Sequence, residues 1–228
     1  MGTFLVTGIG RGIGQELARV LLERGDRVVG TVRGGGTAPA ALREHEEAGR
    51  LRVLGLDVRD PASIADAARS IDEPIDVLVN NAGVIGPQRQ STLDMDFDGF
   101  LDTLAVNTLG PLRVVQAFLP HLRRSSNGRI VTISSRMGSL SHAKSDRIAY
   151  RASKAAVNKV MQGLATDLAP EGIAVICVHP GWVRTDMGGA GADINVEESA
   201  AGIVSLIDRL SMAESGRFFD WQGESLPF

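Results

Sequence analysis

Cysteine, tyrosine and lysine are almost missing from this chain of 228 residues, which has one Cys, one Tyr and, among 24 basic residues, only three Lys. A lone cysteine, Cys177, excludes an internal disulfide. It lies in the apolar run Ala174–His179, where it reads as a small core residue. No run approaches the 18 or so apolar residues of a membrane span, and no basic region with a cleavage site precedes the apolar run Thr3–Thr7. Both lead us to expect a cytoplasmic protein without a membrane partner. Acids outnumber bases, 27 to 24, which removes the electrostatic reason to expect a nucleic-acid partner. The four histidines, at 45, 121, 142 and 179, show no ligand spacing, so no metal is expected.

What remains is ordinary globular material, 43% hydrophobic and 22% charged. Short runs rich in Val, Ile and Leu recur at Phe4–Thr7, Val28–Val32, Leu51–Leu56, Ile75–Asn80, Ile130–Ser134, Ala174–His179 and Arg217–Asp220. Most lack polar alternation, as strands covered on both faces do. Helix-length segments separate them: Gly12–Arg24, one opening at Asp60-Pro61, Thr92–Arg124 (two helices or a bent one), Ile148–Ala169 and Val196–Ser211. The alternation predicts an α/β protein, a Rossmann-type three-layer sandwich with a seven-stranded, mostly parallel, doubly wound sheet and helices on both faces. With no repeat and no long linker, residues 1–228 are expected to form a single dinucleotide-binding domain.

The first strand runs into Thr7-Gly8-Ile9-Gly10-Arg11-Gly12-Ile13-Gly14 and then a helix. Glycines there permit a tight turn, close backbone approach to a pyrophosphate and close helix–strand packing. The helix N-terminus offers free N–H groups and a favourable dipole. An NAD site ordinarily has an acid about 20 residues further on, for the ribose 2′-hydroxyl. Here that region reads Gly30-Thr31-Val32-Arg33-Gly34. Arg33, with Arg11 converging on it, suits a 2′-phosphate, so NADP(H) is the expected cofactor and NAD(H) the alternative. Asp57, closing the third strand, is placed to accept from an adenine amino group or to cap a turn.

The sole tyrosine lies four residues before a lysine, Tyr150-Arg151-Ala152-Ser153-Lys154, so both side chains share a helix face. A phenol exchanges protons poorly at neutral pH, and a nearby ammonium that stabilises the phenolate would improve it. Upstream, Ile130–Ile133 delivers Ser134-Ser135 to the carboxyl edge of the sheet, where a hydroxyl can bond a substrate oxygen. Pro111 stands four residues after Asn107 and brings no N–H to that carbonyl, leaving it free for an ordered water or marking an ordinary kink.

Together these blocks resemble the short-chain dehydrogenase/reductase family over essentially the whole chain. The residues that carry the likeness are Thr7-Gly8-x-x-x-Gly12-x-Gly14, Asp57-Val58, Asn80-Asn81-Ala82-Gly83, Asn107, Ile133-Ser134-Ser135, Tyr150-x-x-x-Lys154 and Pro180-Gly181. His179–Gly189 and the Phe218–Gly223 tail look like the carbonyl-reductase-like subgroup that includes C-factor and sniffer proteins. The resemblance implies a Ser135–Tyr150–Lys154–Asn107 tetrad. Tyr150 would donate the proton during hydride transfer, Ser135 would bind the substrate oxygen, Lys154 would hold the ribose and lower the tyrosine pKa, and Asn107 would anchor a water. It also implies cofactor contacts from Gly8, Arg11, Gly12, Ile13, Gly14, Arg33, Asp57, Val58, the Asn81-Ala82-Gly83 backbone, Tyr150, Lys154, Pro180, Gly181, Val183 and Thr185.

Ser135 precedes Tyr150 by fifteen residues, about two more than in many members, which keeps Ser134 in view although the Ile-Ser-Ser pattern favours the second serine. The intervening loop is expected to shape the substrate mouth, with Met137, Leu140, His142, Trp182 and Met187 beside Ser135 and Tyr150 as pocket candidates. The reading is an NADP(H)-dependent oxidoreductase acting on a ketone or aldehyde, or on a secondary alcohol in reverse. Its alternatives are an NAD-dependent dehydrogenase of the same family and a dinucleotide-binding sensor or signalling protein with incidental turnover. A homo-oligomer, dimer or tetramer, pairing through Leu104–Leu122 and Ile148–Leu168 is what the resemblance suggests.

Overall fold

The strands alternate their burial between two helical layers, and that alternation builds the molecule. In the computed structural model, which describes residues 1–228, the elements are β1 (Thr3–Val6), α1 (Gly12–Glu23), β2 (Arg27–Val32), α2 (Arg43–Glu47), β3 (Leu51–Gly55), α3 (Pro61–Ser70), β4 (Val77–Asn80), α4 (Phe97–Leu104), α5 (Gly110–Leu122), β5 (Arg129–Ile133), α6 (Ile148–Leu168), β6 (Ala174–His179), α7 (Val196–Arg209), β7 (Phe218–Asp220) and β8 (Ser225–Leu226). Phe4, Val6, Val79, Val131 and Val178 pack with Leu17 and Leu21 of α1 and Ile203 and Ile207 of α7. Leu5, Leu78, Ile130 and Val175 point the other way, onto Ile64 of α3, Phe118 of α5 and Val157 and Met161 of α6. Both faces are therefore covered, which is why these strands carry almost no polar residues.

The sheet has eight strands in the order β3-β2-β1-β4-β5-β6-β7-β8, parallel up to β7. The expected count of seven is thus one short. Beyond Asp220 the chain turns through Gly223 (φ +89°) and lays Ser225–Leu226 antiparallel on β7. Two residues are too few to show any hydrophobic period. The short helix α2, five residues with none buried, was not visible in the sequence because it carries no apolar face.

Two features place the site. The connections run outward in opposite directions from β1 and β4, opening a crevice at their carboxyl ends. The long segment expected at Thr92–Arg124 begins its helix at Phe97, after an Asp96 side-chain cap. It then runs through a single π-type turn, Ala105–Leu109, into α5. The Gly110 N–H reaches back to the Ala105 carbonyl, and Pro111 follows without an N–H to give. The helix is continuous but widened at Asn107.

Candidate active site

The cradle at the carboxyl ends of β1 and β4 is built around Thr7. Its hydroxyl accepts from the Asn81 and Ala82 N–H groups at 2.9 and 3.1 Å, while the Asn81 amide returns bonds to the Thr7 and Gly8 carbonyls. A methyl group at Gly14 would collide with the Gly8 carbonyl and the Asn81 amide, so only glycine lets α1 approach β1 this closely. Gly12 holds φ +58°, the left-handed region, and Arg11 before it supplies no side-chain cap. The first-turn N–H groups of α1 are left without a side-chain acceptor, a ready anion site.

A cleft of about 730 Å³ opens over this cradle. It is lined by Gly8, Arg11, Gly12, Ile13 and Gly14 from the first turn, Arg33 after β2, and Asp57 and Val58 after β3. Asn81, Ala82 and Gly83 form its floor, Tyr150 and Lys154 one end, and Pro180, Thr185 and Met187 the facing wall. Two expected cofactor contacts lie behind that wall. Gly181 is wedged between Ile194 and Trp221, and Val183 is buried in a bridge to Ile194. The threonine two residues on, packed against Gly12, is what the loop presents to the cleft.

The two arginines do not converge. Arg11 crosses the mouth to Asp186 at 2.6 Å, both side chains about three quarters exposed, because an acid stands directly opposite it on the loop after β6. Arg33, after β2, makes no ion pair and feels Asp57 only across the cleft, where its charge helps to hold that carboxyl down. Asp57 takes the Arg59 N–H at 2.9 Å and its guanidinium at 2.8 Å, and these hydrogen bonds hold its carboxyl below the ordinary carboxylate range. Its carboxylate is therefore turned to a local cap rather than left open.

At the reacting end, strand alternation separates the two serines. Ser134 is buried and donates to the Asn158 side chain at 2.6 Å, whereas the Ser135 hydroxyl meets the Tyr150 phenol and accepts from the Met137 N–H. The second serine is the one beside the tyrosine. Lys154, buried, donates to the Ile133 carbonyl at 2.8 Å, and its Nζ lies 5.7 Å from the centre of the Tyr150 ring. Burial lowers its pKa to about 8. Burial also drives the Tyr150 pKa above its usual value, opposed by the Ser135 hydrogen bond and the Arg147 charge. The expected downward pull from Lys154 is thus supplied by other groups, since the ammonium faces a carbonyl rather than the phenol oxygen.

The Asn107 side chain clamps the neighbourhood. It accepts from the Val84 N–H at 2.9 Å and donates to the Val84 carbonyl at 2.8 Å and to Ser153 Oγ at 3.0 Å; that hydroxyl donates to the Tyr150 carbonyl. Both amide hydrogens are thereby spent, and Oδ1 has taken one of the two bonds it can accept.

Of the substrate-pocket candidates, Met187 lines both the cleft and an adjoining cavity of about 460 Å³ with Ile85, Gly86 and Pro87. Met137 is half-buried behind Ser135, while Leu140 and His142 lie exposed on the loop, outside the cleft. Trp182 is half-exposed and braces the loop after β6 by donating to the Gly188 carbonyl at 2.9 Å. Thr7 as a cross-link, Asp186 opposite Arg11, and the Val84–Pro87 segment were missed by sequence reasoning. Each acts through partners distant in sequence, so no local pattern announces it.

The geometry can be set beside known proteins. The family model for short chain dehydrogenases matches residues 2–193. A curated relative, the C-signal protein of Myxococcus xanthus, is 46% identical over 156 residues, 68% of this chain and 93% of that protein. A solved NADPH-bound carbonyl reductase from chicken fatty liver superposes with a TM-score of 0.90 at 31% identity, covering 100% of this chain and 99% of that one. The carbonyl reductase Sniffer of D. melanogaster gives 0.91 at 30% identity over the full length of both chains. With the family model spanning most of the sequence, this chain belongs to the short-chain dehydrogenases, a family of oxidoreductases.

Proposed function

We propose that this protein is an NADP(H)-dependent carbonyl reductase that converts a ketone or aldehyde to an alcohol, with Tyr150 as general acid and, in reverse, general base. The observation that carries this reading is the Ser135 hydroxyl meeting the Tyr150 phenol, with Tyr150 and the buried Lys154 at one end of a glycine-floored cleft. The cradle fits a dinucleotide: glycine at position 14 lets the start of α1 close onto β1, and that uncapped start suits a pyrophosphate. Gly8–Gly14, Asn81–Gly83, Pro180 and Thr185 would hold the cofactor, and Arg33, free of acidic partners, would meet a 2′-phosphate. When bound, the nicotinamide supplies the hydride. The chain's own residues do the rest. Ser135 holds the carbonyl oxygen, Tyr150 protonates it, Lys154 holds ribose hydroxyls, and Asn107 anchors a water on the route by which the proton is replaced.

The NADPH named for the chicken reductase supports the cofactor choice. We further propose that residues 1–228 work as one domain in the cytoplasm; no helix is long and apolar enough to cross a membrane. A homo-oligomer is supported by the exposed side chains of Leu93, Phe97 and Leu101 leading into α4 and α5. A second reading, a signalling protein that binds dinucleotide with incidental turnover, has the C-signal likeness in its favour.

Titration with NADPH and NADH, followed by a carbonyl panel with Tyr150→Phe as control, separates these. Tight NADPH binding and reduction that falls by ~100-fold or more in Tyr150→Phe supports the enzyme reading. NADPH binding with no reducible carbonyl moves the signalling reading ahead, and binding of neither cofactor overturns both.

A further inference from the structure

Helix α6, which carries Tyr150 and Lys154, begins without a cap of its own. Arg147 stands at the N-cap with φ +52° and no side-chain bond to the helix. The first-turn donors would be orphaned, at the cost of unpaired N–H groups. Two of them are taken by Gln90, about 60 positions upstream. The Gln90 carbonyl accepts from the Ile148 N–H at 2.8 Å, and Gln90 Oε1 accepts from the Tyr150 N–H itself at 3.1 Å.

The other end of the same amide holds the loop after β4. Gln90 Nε2 donates to the Ile85 carbonyl at 3.1 Å and the Pro87 carbonyl at 2.6 Å. Gly86, between them, has φ +88°, and a side chain there would press on the Gln90 amide and on Thr103. Gln90 is itself buried and spends both amide atoms on these contacts. Ile85, Gly86 and Pro87 line the cavity that adjoins the cleft.

Two side chains therefore tie this loop to the tyrosine's helical turn. Asn107 does so from one side, through Val84 and Ser153, and Gln90 from the other, through Ile85, Pro87 and the Tyr150 N–H. Asn107 belongs to the tetrad; nothing in the tetrad calls for Gln90.

We propose that Gln90 is a positioning residue for the reaction: it caps the catalytic helix from outside and fixes the Tyr150 phenol relative to the loop that floors the cleft. This rests on the carbonyl-reductase reading for its kinetic consequence but not for its geometric one. Gln90→Met keeps size and removes every side-chain hydrogen bond. Gln90→Glu keeps an acceptor for the Tyr150 N–H and loses both donations.

The expected result for Gln90→Met is NADPH affinity within ~2-fold of wild type, with kcat lower by ~10- to 100-fold, the scale of a misplaced reacting group. Gln90→Glu should recover part of that loss, because the helix cap is restored. Since Tyr150 is the sole tyrosine, near-ultraviolet tyrosinate absorbance titrates this one group without any substrate. In Gln90→Met its midpoint should move down toward the ordinary phenol value as the ring leaves its buried setting, with circular dichroism confirming that the fold persists.

An unchanged tyrosinate midpoint in a folded Gln90→Met overturns the proposal, whatever the kinetics. So does a loss of kcat and of NADPH affinity in equal proportion, which marks general damage to the fold. If the wild-type protein reduces no carbonyl, the functional reading fails, and the tyrosinate shift still decides the role of Gln90.

Discussion

Replacing Lys154 with methionine separates what the ammonium does for chemistry from what it does to stability. The side chain is buried with one hydrogen bond, to the Ile133 carbonyl, and burial brings its pKa from 10.5 to about 8. At ~1.4 kcal/mol per pH unit, holding the charge inside costs about 3 kcal/mol at neutral pH. The folded pKa lies below the unfolded one, so between pH about 8 and 10.5 the unfolded chain binds more protons. Wild-type stability therefore gains from this group as pH rises through that window, and below it the full penalty applies. Methionine is near in shape and removes the penalty, but leaves the Ile133 carbonyl unpaired, at about 1–3 kcal/mol.

Lys154→Met should therefore be as stable as wild type at about pH 7, or up to ~2 kcal/mol more so, and less stable by about 1–2 kcal/mol at about pH 10. Cys177, whose thiol is pushed up to about 12 by burial, titrates in both proteins and largely drops out of the difference. Denaturant unfolding of both proteins at the two pH values reads the effect. A stability difference that does not change with pH refutes the reasoning. So does a mutant more than ~3 kcal/mol less stable at neutral pH, since the lysine would then be held by interactions the structure does not contain. Carbonyl reduction should fall by ~100-fold or more in the same variant, so that stability and activity move apart.

Three further substitutions test separate parts of the site. Gly14→Ala places a methyl group against the Gly8 carbonyl and the Asn81 amide, and should lower stability by about 1–3 kcal/mol and weaken NADPH binding, read by thermal shift with and without cofactor. Arg33→Asp should weaken NADPH by ~10-fold or more and leave NADH unchanged or tighter; equal losses of both would remove Arg33 from the 2′-phosphate. Arg147→Ala removes one of the two influences that oppose burial at Tyr150, so the tyrosinate midpoint should rise; a fall would mean that relief of the left-handed backbone outweighs the lost charge.

The sheet was legible because strands covered on both faces leave continuous apolar runs, and the helices because most carry end signals such as Asp60-Pro61. β8 was not, since two residues have no period. Asn107 stood out in the sequence through Pro111 four residues on, and the structure has a π-type turn inside one helix there rather than a break between two. Tyr150 and Lys154 were legible as a pair four residues apart on one helix. Where the lysine's amine goes was not, because the Ile133 carbonyl belongs to the neighbouring strand. The same distance in sequence hid Thr7, Gln90 and Asp186. A side chain whose partners lie 60 or more residues away in another element leaves no local trace.

The protonation state of Tyr150 bears on which direction the site favours. Carbonyl reduction needs a protonated phenol to give; alcohol oxidation needs a phenolate to receive. Burial keeps the phenol protonated well past neutral pH, and only the Ser135 hydrogen bond and the Arg147 charge work against it. Lys154 spends its proton on the Ile133 carbonyl, so its charge sits beside the ring without pairing with the phenol oxygen. A tyrosine in that setting is an acid in waiting. Burial brings the neighbouring lysine down to about 8, much nearer neutrality than the phenol. The sequence led us to expect that Lys154 lowers the phenol's pKa; in the structure its amine is turned to the Ile133 carbonyl instead. On the proposed reading Tyr150 delivers the proton, and Lys154 is the group through which it is replaced.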